Sequence, residues 1–68
     1  MKLYEIPDGS QIRLLEDSPG PPGEPVYPKG TEMKFYSLDG MYATCFKDGV
    51  RAYPHCGTEV EIIERHYK

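Results

Sequence analysis

The segment 17–30, DSPGPPGEPVYPKG, limits the fold more than any other part of the chain. It holds five prolines (Pro19, Pro21, Pro22, Pro25, Pro28) and three glycines (Gly20, Gly23, Gly30). Proline lacks the backbone N–H that helices and ladders need and clashes with the preceding turn of a helix. Neither a helix nor a central strand can run through 17–30. A disordered linker is the alternative reading. An ordered long loop is preferred, because Val26 and Tyr27 supply an apolar anchor and both flanks read as strand. Unstructured connections of this length are uncommon in compact domains and are often functional.

The flanks alternate with a period of two. In QIRLLE (11–16), Ile12 and Leu14 share one face. In TEMKFYS (31–37), Met33 and Phe35 point one way and Glu32 and Lys34 the other. MYATCFK (41–47) is apolar on both faces, which predicts a central strand covered on both sides. VRAY (50–53) is a short strand, and TEVEIIER (58–65) directs Val60 and Ile62 inward. KLYEI (2–6) reads as an extra edge strand or a lead-in. Turns separate the runs: PDGS (7–10), Asp39-Gly40, Asp48-Gly49 and PHCG (54–57). Asp48-Gly49, between two strand-like runs, fits a two-residue type I′ hairpin. The predicted core is Ile12, Leu14, Met33, Phe35, Ala43, Cys45, Val60 and Ile62.

With 68 residues the chain is one domain, 1–68. A domain of this size buries only about 60% of its unfolded surface, which leaves little room for a deep cleft. Eight basic against 11 acidic residues give a net charge of −3. That argues against a nucleic-acid binder, which needs a basic face to displace counterions. No apolar run approaches the roughly 20 residues of a membrane span. The start MKLYEIPDG has no apolar signal segment, so a cytoplasmic protein with reduced cysteines is expected.

Catalytic and metal signatures are weak. Cys45, His55, Cys56 and His66 contain no C-x-x-C pair, and adjacent His55 and Cys56 point apart on extended chain. There is no phosphate-binding glycine loop and no G-x-S-x-G. A thiol nucleophile needs a lowered pKa and an orienting partner, and neither shows in the pattern. The expectation is a non-catalytic protein without metal or cofactor. Glu16, Asp17, Glu24, Glu59, Glu61 and Glu64 read as a solvated acidic face able to meet a basic partner.

The order of elements resembles an SH3-like barrel. A long loop (17–30) follows the first long strand, a distal hairpin turns at 48–49, and a 3₁₀ turn (54–57) precedes the last strand. The resemblance implies a small five-stranded antiparallel barrel. It also implies a binding surface made from the long loop and the last turn: Pro25, Tyr27, Pro28, Tyr53 and Pro54. The tryptophan and the acidic-aromatic signature of peptide-binding SH3 domains are missing. Residues 38–61, LDGMYATC…DG…TEVE, also resemble small bacteriophage and prophage proteins. That implies an accessory protein that binds a host bacterial protein, as a monomer. The alternative is a structural component of a phage particle that self-associates through edge strands.

Overall fold

The computed structural model describes residues 1–63. Five strands form one antiparallel sheet: β1 (Gln11–Leu14), β2 (Glu32–Asp39), β3 (Tyr42–Lys47), β4 (Val50–Ala52) and β5 (Val60–Ile62), in the order β4-β3-β2-β1-β5. The all-β, antiparallel expectation holds. Closure does not: β4 and β5 are the two edges of an open sheet, with no strand pairing between them among the described residues.

The turn chemistry explains the meander. Asp48 (φ 54°) and Gly49 (φ 81°) are both left-handed, as a type I′ hairpin requires, and join Lys47 to Val50. The preceding hairpin is shifted by one residue from the Asp39-Gly40 expectation. Asp39 still pairs with Tyr42, so the loop is Gly40-Met41. Gly40 alone has positive φ there (71°), the pattern of a type II′ turn. A bulge between Phe35 and Ser37 leaves Tyr36, outward by the alternation and exposed, without a register partner on β3.

The inner face packs Ile12, Leu14, Met33, Phe35, Ala43, Cys45 and Val60, as the alternation implies, together with Leu3, Ile6 and Ala52. Ile62 is a correction. It lies at the end of an edge strand and is 37% exposed. KLYEI is another. Leu3–Glu5 form a 3₁₀ turn, in which the Ile6 N–H closes onto the Leu3 carbonyl and the Lys2 N–H donates to the Glu5 carboxylate (2.7 Å). The three-residue repeat of this turn puts Leu3 and Ile6 on one side, where both are buried. Lys2 bridges to Glu59, so the segment before the turn still lies along β5. The third correction is β3. Ala43 and Cys45 are buried, but Tyr42, Thr44 and Phe46 on the opposite face are only half-buried, because no layer covers that side.

Candidate functional site

The long loop is ordered by its two ends. Ser18 and Tyr27 exchange both backbone hydrogen bonds (2.8 Å each), which closes the segment 19–26 into a tip. Within the tip, the Glu24 N–H donates to the Pro21 carbonyl (2.9 Å), with Gly23 at φ 91°. Pro22 at the second position and Gly at the third suit a type II turn. Outside the clasp, the Lys29 N–H donates to Asp17 (2.7 Å). Proline limits the conformational freedom of the tip.

The base of the loop is seated on the chain that follows β4. The Tyr27 hydroxyl accepts the Tyr53 N–H (3.0 Å), and its ring packs against the core. Ser18, fully buried, accepts the His55 N–H at Oγ (3.1 Å) and lies 2.6 Å from the Thr58 hydroxyl. Donor accounting orders this group. Thr58 Oγ1 donates its one proton to the His55 carbonyl (2.7 Å), so Ser18 must donate to Thr58. No buried side-chain polar atom among the described residues lacks a partner.

The five residues expected to bind a partner therefore divide. Tyr27 and Tyr53 are brought together, both half-buried. Pro25 and Pro28 are exposed on the loop, and Val26, expected to help anchor it, is 58% exposed instead. Pro54 is fully buried and is no contact for a partner; its carbonyl accepts the Ala43 N–H (2.9 Å), which draws it into the sheet. The segment 54–57 is not a 3₁₀ turn. Tyr42 and His55 continue the β3–β4 pairing, and a single turn follows, closed by Thr58 N–H to the His55 carbonyl (3.1 Å).

His55 and the Cys45 thiol are committed to structure. His55 Nδ1 accepts the Gly57 N–H (3.0 Å), and its ring meets Tyr42 edge-on with centroids 5.7 Å apart. Cys45 has no exposed surface; burial pushes its thiol up to about 12, against a smaller opposing effect from the Tyr36 backbone. A thiol this reluctant to ionise is a poor nucleophile. Both cysteines are free, and Cys56 is half-exposed. Among the described residues no group of His, Cys, Asp and Glu is arranged to hold a metal. His66 lies outside the described residues.

The acidic face resolves into staples. Glu61 and Glu32 pair with Arg13 (2.6 and 3.3 Å), and Glu59 with the Met1 ammonium and Lys2. The Met1 ammonium first, then Lys2, hold the Glu59 carboxyl below its ordinary value. Glu16 accepts the Glu59 N–H (2.8 Å). Glu24 stays exposed at the loop tip, and Glu64 lies outside the described residues.

One surface escaped sequence reasoning. On the outer face, register aligns Lys34, Phe46 and Arg51 across β2, β3 and β4, and Tyr36 meets Phe46 edge-on (5.9 Å). A shallow depression lies beside them, lined by Asp8, Gly9, Lys34, Tyr36 and Ser37. Lys34 and Tyr36 point outward as the alternation implies; the bulge after Phe35, which shifts the pairing beyond it, has no signal there. No described helix is long and apolar enough to cross a membrane. Comparison with protein-family models, curated proteins and solved structures gives no match.

Proposed function

We infer that this chain is a non-catalytic protein-binding module that presents the tip of its proline-rich loop to a protein partner. The observation that carries the reading is the division of labour within 17–30. The base is clamped by Ser18 and Tyr27, while Pro22, Pro25 and Val26 stand exposed at the tip. A tip held this way loses little freedom on binding. Tyr53, half-buried beside Tyr27, borders the same surface. The order of elements, with the long loop after β1, the distal hairpin between β3 and β4 and one turn before β5, supports an SH3-like reading. In that reading the chain is a phage-type accessory protein, acting as a monomer in the bacterial cytoplasm on a host protein.

The test replaces 22–25 with Gly and Ser and compares capture from bacterial lysate, by mass spectrometry, with that of the unaltered chain. A protein lost from the variant, with an unchanged melting transition, is the expected result. Equal capture by both chains overturns the reading. The second reading, a self-associating structural component, is favoured by one observation: β4 is an edge strand with Val50 68% exposed. Light scattering on a sizing column separates a monomer from an assembly.

A further inference from the structure

Backbone groups along a strand alternate in direction, so every second residue of an edge strand aims its N–H away from the sheet. The segment after β3 follows this rule through residue 56. Toward β3, the Pro54 carbonyl accepts from Ala43 and the Cys56 N–H donates to Met41 (2.8 Å). The outward N–H groups are then those of residues 51, 53 and 55. Two of these three are closed, each by a side-chain hydroxyl from the long loop. Tyr27 takes the Tyr53 N–H, and Ser18 takes the His55 N–H. The opposite edge of the sheet is closed by other means: the Val60 N–H donates to the Met1 carbonyl (2.8 Å), and Lys2 bridges to Glu59. An edge with free N–H and C=O groups is a template for pairing with another chain.

We propose that the backbone edge 51–55 is a latent strand-pairing surface whose partner is the same edge of a second copy of this chain, kept shut by the Tyr27 and Ser18 hydroxyls. The edge complements itself. Antiparallel pairing about a two-fold axis at Tyr53 places Tyr53 against its counterpart and Arg51 against His55. All three positions carry outward N–H groups: the Tyr53 pair exchanges both hydrogen bonds, and each His55 N–H reaches the Arg51 carbonyl opposite, while the His55 carbonyl stays with the Thr58 N–H and hydroxyl. Arg51 is the one formal charge in 50–55 with His neutral, and the axis does not set it against itself. Aromatic residues directly opposite each other on paired strands attract. Pro54 does not block the pairing, because its position faces the inner ladder, where the missing N–H costs the outer edge nothing. The proline-rich loop thus has a second role, at its base: it guards the edge. This role is independent of what the tip binds.

The experiment uses the full chain with Tyr27→Phe and Ser18→Ala, singly and together. Tyr27→Phe keeps the ring and removes only the acceptor. Light scattering on a sizing column, up to millimolar concentration, should show a monomer for the unaltered chain. The double variant should show a concentration-dependent doubling of mass. Adding Arg51→Pro, whose ring in place of an outward N–H crowds the strand opposite, should return the double variant to a monomer. A folded double variant that stays monomeric at millimolar concentration overturns the proposal, as does a dimer that Arg51→Pro leaves intact. If the double variant does not fold, Tyr27→Phe alone decides. Dimerisation at high concentration supports the latent edge. A folded monomer whose Tyr53 amide exchanges freely with solvent refutes it.

Discussion

The hairpin 42–52 and the loop 17–30 each reverse the chain between neighbouring strands, but by opposite physical means. The hairpin is specified on the spot. Two left-handed residues, Asp48 and Gly49, set the twist, and a Cβ added at Gly49 meets nothing within 4 Å. The loop is specified at a distance. Its ends pair with each other and with residues 53–58, and its one tight glycine is a packing position. A Cβ at Gly20 would lie 3.0 Å from Glu24 Cβ and 3.2 Å from the Pro25 carbonyl oxygen. The lesson is that a Pro/Gly-rich stretch can be as ordered as a two-residue turn when its few polar groups find partners elsewhere.

The largest expected effect removes the ground on which both regions stand. Phe35 is 1% exposed under the sheet. Phe35→Ala should cost about 3–5 kcal/mol. Small domains have a total stability of only about 5 kcal/mol at the low end, so the variant should be largely unfolded in urea titration at room temperature. A variant with the parent midpoint would contradict the core described above.

Next comes the node that only the loop needs. Ser18→Ala strands the part-buried His55 N–H and takes the donor from the buried Thr58 hydroxyl, so a loss of about 1–3 kcal/mol is expected. Amide exchange should rise in 17–30 and 53–58, and the 42–52 hairpin should keep its protection. Uniform loss of protection would show that the two regions are one cooperative unit.

The glycines sharpen the contrast. Gly49→Ala places a side chain in left-handed backbone and should cost about 1–2 kcal/mol. Gly49→Asn, which tolerates that conformation, should recover much of it. Gly20→Ala should be as harmful for a different reason, and Gly20→Asn should not rescue it, because crowding by Glu24 and Pro25 is the cause. Thermal melts of the four variants check this.

The smallest effect is chemical. In the native protein a disulfide-exchange reagent should titrate Cys56 quickly and Cys45 only on unfolding. The Cys45 thiol lies above its ordinary value of 9.0, at about 12. Above 9.0 the unfolded chain loses this proton while the folded chain keeps it, so Cys45 makes stability fall as pH rises from 9.0 toward 12. Cys45→Ala should flatten that alkaline limb.

The sequence was most legible where specification is local or periodic. Asp48-Gly49 needs both residues left-handed, and that can be read from two letters. The inner face of β1, β2 and β3 followed from alternation, which gave Ile12, Leu14, Met33, Phe35, Ala43 and Cys45. Alternation failed where the period changes. Leu3 and Ile6 are three apart in a 3₁₀ turn, so a two-residue repeat cannot find them. It failed again at Ile62, where the strand reaches the end of the sheet and the inward face has nothing left to cover. Of the candidate site, the meeting of Tyr27 and Tyr53 followed from the order of elements, and the hydrogen bond between them supplies its geometry. The roles of Ser18 and Thr58 were not legible, because a hydroxyl among prolines gives no sign that its partner lies 40 positions away. Pro54 was misread as surface because its burial depends on continued pairing with β3.

The central claim is that the base of the proline-rich loop is clasped to the sheet edge by the Tyr27 and Ser18 hydroxyls. Amide hydrogen exchange of the unaltered chain, resolved by residue, tests it most directly. The account predicts that the Tyr53 and His55 amides are protected alongside Ser18 and Tyr27, although both lie on an outer edge, and that Tyr27→Phe releases Tyr53 first. Exchange of Tyr53 and His55 at the rate of an open chain, with β3 still protected, would contradict it.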